Sequence, residues 1–126
     1  MDWLWLVGRV LFGVYFIFSG LNHFLQLPTM IGYSKYKGVP APGFLVPLTG
    51  LMLILGGLSI LTGIMVTWGL ALLVLFLVPT TLIMHRYWNI EDPTAKMGEM
   101  VNFLKNLALV GATLMLLAIS DWSWTF

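Results

Sequence analysis

Two histidines, one lysine, one arginine and four amides interrupt otherwise apolar stretches of this chain, and they fall at corresponding ends of those stretches. Asn22 and His23, with Gln26 beyond them, close the first stretch, and His85 with Arg86 closes the third. Asn102, Lys105 and Asn106 open the fourth. Folded back and forth as helices, those three places come to one membrane depth. Tyr33 and Tyr36, in the first long connection, could cover them.

Three chemistries suit such a set. Two histidines on neighbouring helices could ligate a haem iron from both faces. They could instead share a metal ion with Glu99 or Asp92, although the spacing matches no metal signature. Third, histidine, lysine and asparagine could hydrogen-bond the oxygens of a planar lipophilic quinone or phenol, between walls of Phe24, Tyr33 and Tyr36. This matches an apolar pocket with a few placed polar groups. A purely structural use is also open, with Lys105 snorkelling and the histidines bonded to backbone or lipid headgroups. The candidate ligand-binding residues are therefore His23, His85, Lys105, Asn106, Asn102, Asn22, Tyr33 and Tyr36. No residue is singled out as catalytic, and no resident metal is expected. No serine–histidine–acid set or phosphate-binding glycine loop occurs, and Gly56-Gly57 lies within an apolar stretch, where it reads as a packing feature.

A second ionisable feature lies elsewhere. Arg9 precedes His23 by about 14 residues, or about 20 Å along a helix, near the opposite membrane face. A buried arginine in lipid is costly and pairs or reaches an interface. Asp121 is at the matching depth and is the expected structural ion-pair partner, with Asp2 as the alternative; an anion site is the functional reading.

The elements that hold these residues follow from composition. The 126 residues are 60% hydrophobic and 9% charged, against about 45–50% and about 25% in soluble domains. The chain is expected to be one membrane-embedded domain over 1–126. A net charge of +1 gives no basic stripe for nucleic acid. Zero cysteines exclude disulfides, thiol relays and thiolate ligation, so any redox role needs a bound cofactor or partner.

Four apolar segments lie at roughly 3–27, 44–63, 66–88 and 100–120, each near the ~20 residues that cross a bilayer as a helix. No strand-like alternation appears, so the expected fold is all-α: an up-down bundle of four transmembrane helices. The first segment reads as an uncleaved span, since it has no basic leader region and is too long for a signal peptide. The connection 28–43 is rich in proline and glycine, with a short interfacial helix expected over Thr29–Lys37 and Gly38 as its stop. Thr62–Thr67 makes a tight hairpin, and 86–99 reads as a hydrated loop. Pro79 should kink the third span, with Thr80 and Thr81 compensating freed backbone groups.

On one helix face run Arg9, Gly13, Phe16, Gly20 and His23; on another, Gly50, Leu53, Gly57 and Ile60; on a third, Asn102, Asn106, Leu109, Thr113, Leu116 and Ser120. Residues so spaced share a side, and glycines there permit close helix contact. Lys35, Lys37, Arg86, Lys96 and Lys105 fall on one side of the bilayer and only Arg9 on the other. The positive-inside rule puts both long connections in the cytoplasm and both termini outside. Trp3, Trp5, Trp68, Trp122 and Trp124 mark the outer boundary and Trp88 the inner one.

Taken together, these residues resemble the DoxX family of small four-span bacterial membrane proteins, over nearly the whole chain. The resemblance is carried by Arg9 with Phe12, Gly13, Gly20 and His23, by Tyr33-Ser34-Lys35-Tyr36-Lys37-Gly38-Val39-Pro40-Ala41-Pro42, by Gly56-Gly57 and Gly63, and by Asn102 through Leu109. Many members carry a glutamate shortly before the glycine pair; here Leu51 to Leu55 are all apolar, so a proton role for that carboxylate does not carry over. The resemblance implies a bacterial inner-membrane protein tied to quinone or thiosulfate oxidation, or to resistance to quinones and oxidants, with partner subunits often supplying catalysis. The leading expectation is a quinone-linked redox accessory, conceivable as an oxidoreductase subunit, with a quinone as its ligand. The alternative is a non-catalytic anchor or assembly module that offers 86–99 to a cytoplasmic partner. Permeation of a small apolar solute would require a homo-oligomer.

Overall fold

The computed structural model describes residues 2–123. Its helices are α1 (Asp2–Leu25), α2 (Leu27–Tyr36), α3 (Pro42–Thr62), α4 (Val66–Met84) and α5 (Pro93–Leu117). All but α2 are long and apolar enough to cross a membrane, and no strand occurs among the described residues. The architecture is an all-α membrane bundle, as the apolar runs require. One end, which carries the start of α1, holds the α3–α4 turn and the end of α5. The other holds α2, the end of α4 and the start of α5.

α1 packs on α3, α3 on α4, and α4 on α5, while α2 lies mainly against α3. The α1–α3 seam is built on glycine. A Cβ at Gly20 would stand 2.6 Å from the Gly50 carbonyl oxygen, and one at Gly57 would stand 2.6 Å from that of Gly13. Lipid tails are as apolar as leucine, so van der Waals contact at close approach must hold such helices together. The faces read from spacing on α1 and α3 are the packed ones, whereas on α5 only Asn106 and Thr113 of the expected face are buried and Ser120 lies exposed beyond the helix end. Arg9, Gly13, Phe16 and Gly20 are buried, as are Gly50, Leu53, Gly57 and Ile60. The core around them adds Val66, Leu70, Leu73, Leu77 and Trp122. Only Asn106 and Thr113 of α5 are buried, which makes it the most lipid-exposed span.

Local chemistry sets the ends. Gly63 caps α3 at φ 78°, donating its N–H to the Ser59 carbonyl, in the left-handed region that glycine enters without steric cost. Gly38, at φ 92°, follows α2 where a stop was expected. α4 continues through Pro79, and Thr81 Oγ1 donates to the Leu77 carbonyl rather than to a group freed by the proline. The largest departure concerns α5, which begins at Pro93 instead of near residue 100. Asp92 is its N-cap, accepting from the Ala95 N–H at 2.9 Å, and Pro93 takes the first turn, where a missing N–H costs nothing. Two turns of the expected loop are therefore helix. Trp124 lies outside the described residues, as does the side chain of Asp2.

Candidate functional site

The earlier start of α5 changes the polar end of the bundle, because it places Glu99 on a helix facing its neighbours. Glu99 and Asn102 are three apart and share a face, and Asn102 Nδ2 donates to Glu99 Oε1 at 3.1 Å. Lys37, the C-cap of α2, reaches across to Glu99 Oε2 at 3.0 Å, with side chains only 17% and 14% exposed. His85, the C-cap of α4, brings Nδ1 to 3.5 Å from Glu99 Oε1, too far and too poorly aligned for a hydrogen bond. Arg86 Nη2 donates to the Lys37 carbonyl at 3.2 Å. The ends of α2 and α4 and the start of α5 thus meet on one carboxylate.

The ionisation of the groups outside the spans follows from this geometry. Burial lowers the pKa of His85 and outweighs the upward pull of Glu99; the charges of Lys105 and Lys37 lower it further. The imidazole is therefore neutral at pH 7. For Lys37, burial also works downward, but the hydrogen bond that it donates to Glu99, with Tyr33 and the Glu99 charge, raises it overall. Its Nζ lies 5.5 Å from the Tyr33 ring centroid. A neutral imidazole beside a carboxylate–ammonium pair can donate or accept one hydrogen bond to a ligand oxygen and exchange a proton with it.

Not every expected member joins this cluster. His23 Nδ1 pairs with the Ser19 carbonyl at 2.8 Å, and its ring stands edge-on to Phe76 at 5.9 Å. Phe76 precedes His85 by nine residues, or about 13 Å of helix rise. The two histidines therefore do not share a depth, and a facing pair of axial haem ligands is not formed. The cause is the stagger of α1 against its neighbours: His23 packs beside Gly50 and Phe76, each about two turns inside the ends of α3 and α4. Asn106 is buried one turn beyond Asn102, Asn22 is half-buried, and Lys105 is exposed but acts on His85 through its charge. Tyr36 is 84% exposed and covers nothing. Among the described residues, no three His, Asp or Glu side chains converge as a metal site needs; Asp92 serves as the α5 cap.

Glu99 and Lys37, the centre of the cluster, were not on the list read from the sequence. The signal that could have found them is Asp92-Pro93, a cap followed by an N1 proline, which starts a helix seven residues before the expected boundary.

At the opposite end, Arg9 Nε donates to the Ile60 carbonyl at 2.6 Å, and Nη1 lies 3.5 Å from the Ser123 carbonyl. Its guanidinium carbon stands 5.4 Å from the centroid of the Trp122 ring, which itself packs on Trp5 at 5.0 Å. The expected pair with Asp121 is not formed. Asp121 is exposed and its Oδ1 accepts from Ser123 N–H and Oγ at 3.0 and 2.7 Å, a local turn that uses the carboxylate after α5 has ended. Two clefts lie at this end, one of ≈ 680 Å³ above the α3–α4 turn and one of ≈ 250 Å³ beside Arg9. Neither of these two clefts is lined by a residue of the Glu99 cluster.

Compared with known proteins, residues 4–86 match the family model described as DoxX, about two thirds of the chain. No curated protein and no solved structure matches. The matched segment spans α1 to the end of α4 and includes Arg9, Lys37 and His85, while Glu99 and Asn102 lie beyond it.

Proposed function

We propose that this chain, which belongs to the DoxX family, is a quinone-linked redox accessory or quinone-resistance protein that binds a planar, oxygen-bearing lipophile at the Glu99 end of the bundle. The observation that carries the reading is the mostly buried contact of Lys37, His85 and Asn102 with one carboxylate. Ionisable groups at the ends of apolar spans are costly to keep dehydrated, and such groups are the usual marks of a ligand or proton path in a membrane protein. His85 presents its second ring nitrogen to one ligand oxygen. Lys37 and Glu99 hold the local charge balanced, and Lys105 and Asn106 polarise the second oxygen. Aromatic surface from Tyr33 flanks the ring. The redox character comes from the family resemblance, and the long connections face the cytoplasm of a bacterial inner membrane by their lysine and arginine excess.

Titration of purified protein with decylubiquinone, followed by tryptophan quenching, tests the site. Saturable binding that is lost in His85→Ala and weakened in Lys105→Ala supports it. Unchanged binding in His85→Ala sinks the assignment.

A second reading is supported by residues 91–98, all of which are exposed, next to the ring cluster of Tyr87, Trp88 and Phe103. In this reading the chain anchors a partner protein through 86–99 without binding a quinone. Co-purification that survives His85→Ala but fails when Glu91, Asp92 and Lys96 are neutralised would favour it.

A further inference from the structure

The inward face of α5 carries polar groups in a row that runs from the Glu99 cluster into the bundle. Glu99, Asn102, Asn106, Leu109 and Thr113 recur at steps of three and four residues and so share one side of the helix. Thr113 donates its hydroxyl to the Leu109 carbonyl and is satisfied within α5. Asn106 is not. It is 8% exposed, and among the described residues its amide meets no hydrogen-bond partner. A side-chain amide carries two donors and an acceptor oxygen, and hydrocarbon answers none of them. Buried polar groups that lack a protein partner are satisfied by ordered water.

His23 offers a second such group at nearly the same depth. Asn106 lies seven residues inward from Glu99, about 10 Å of helix rise. His23 stands against Phe76 of α4, nine residues inward from His85, or about 13 Å, and His85 and Glu99 are side by side. α1 and α5 do not pack on one another as the other neighbours do, so helix contact does not close the space between them. His23 Nδ1 lies 2.8 Å from the Ser19 carbonyl oxygen. That oxygen can only accept, so Nδ1 carries the proton, and in the neutral ring Nε2 keeps its lone pair. Among the described residues nothing hydrogen-bonds to Nε2.

We propose that the space between α1, α4 and α5 at this end is a hydrated proton inlet, which runs from the Glu99 carboxylate past Asn102 and Asn106 to Nε2 of His23. Water held by the two asparagines, one helical turn apart, bridges carboxylate and imidazole. A proton from the aqueous face passes Glu99, moves along that water and is taken up at Nε2, and the imidazolium keeps its Nδ1–H bond to the Ser19 carbonyl. The inlet ends there. Beyond Asn106 the same face of α5 offers only Leu109 and the satisfied Thr113, and the Thr81 hydroxyl on α4 is already bonded to the Leu77 carbonyl. Deeper still the core is Phe16, Leu53, Leu70 and Leu73. His23 is thus the terminal base of the path. The inlet does not depend on the quinone reading: water alone fills it, and a ligand oxygen bonded by Asn106 would replace one water.

The chain contains no cysteine, so a single introduced thiol reports local hydration. The probe is the silver ion, which is membrane-impermeant and small enough to follow water. It is added in nitrate buffer, without quinone, to inverted and right-side-out vesicles that hold variants of the full chain. Thiols left unblocked are counted by maleimide labelling after denaturation. Asn106→Cys should react roughly tenfold or more faster than Ala108→Cys, because the reactive thiolate forms in water and not in hydrocarbon. This order is the reverse of surface exposure, since Ala108 is exposed and Asn106 buried on the same helix. His23→Cys should likewise outpace Phe24→Cys, although Phe24 is exposed. Both fast reactions should come from the vesicle face at which Met97→Cys, on the exposed start of α5, also reacts. A second measurement leaves Asn106 and His23 in place. With His85→Gln, His23 is the sole histidine, and nitrogen NMR in micelles should show the Nδ1–H tautomer at alkaline pH and proton uptake at Nε2 as pH falls. Asn106→Cys reacting no faster than Ala108→Cys, reaction only from the opposite face, or an Nε2–H tautomer would each overturn the proposal.

Discussion

Replacing Glu99 by glutamine keeps the shape of the side chain and removes the charge on which three elements converge. The carboxylate accepts from Lys37 at 3.0 Å and from Asn102 at 3.1 Å. A hydrogen bond to a charged group contributes about 1.5–3 kcal/mol. An exposed ion pair gives about 0–1 kcal/mol, whereas removing one partner of a fully buried pair costs about 3–5 kcal/mol. With the Lys37 and Glu99 side chains 17% and 14% exposed, the site lies between these limits. Glu99→Gln should therefore cost about 2 kcal/mol, since the amide still accepts from Asn102 but leaves an ammonium without its counter-charge. Lys37→Met should cost somewhat less, because Asn102 still satisfies the remaining carboxylate. The assay is SDS-driven unfolding in mixed micelles, followed by far-ultraviolet circular dichroism, for wild type, both single variants and the double variant. A coupling energy of about 1 kcal/mol is expected. Additivity within about 0.3–0.5 kcal/mol would refute the reasoning and reduce the cluster to a solvated contact.

The remaining predictions concern pH and packing. Burial holds the folded-state pKa of His85 below 6.5, so as pH falls through 6.5 the unfolded chain takes up a proton first and stability drops. The decline continues down to the folded pKa, and His85→Gln should flatten it in stability measurements across that window. Because Glu99 pulls His85 upward, Glu99→Gln should move the imidazole titration still lower by NMR. Gly57→Val places a side chain where a Cβ already lies 2.6 Å from the Gly13 carbonyl; it should cost about 1–3 kcal/mol or prevent α1 from docking, read by thermal unfolding. Gly63→Ala combines φ 78° with a Cβ 2.7 Å from the Trp122 carbonyl oxygen, and should cost about 1–3 kcal/mol by the same measurement.

Much of the fold was legible because apolar length and glycine spacing act locally. The faces Arg9-Gly13-Phe16-Gly20 and Gly50-Leu53-Gly57-Ile60 are the buried α1–α3 seam. The site was less legible because it depends on helix ends. Charges across 91–99 make that stretch look like a loop, yet Asp92 and Pro93 start a helix there and turn Glu99 inward. The shared depth of His23 and His85 failed because hydropathy does not fix how helices stagger: His23 packs beside Gly50 and Phe76, inside α3 and α4, whereas His85 lies at the end of α4. Asp121 lost its expected role to a neighbour two residues away, Ser123, which no depth argument could reveal.

The most direct test of the central claim is mass spectrometry with absorption spectra on the protein extracted gently from its own membrane. The account predicts a co-purifying quinone in wild type that is lost in His85→Ala. Protein with no quinone, or with the same quinone content after His85→Ala, would contradict it.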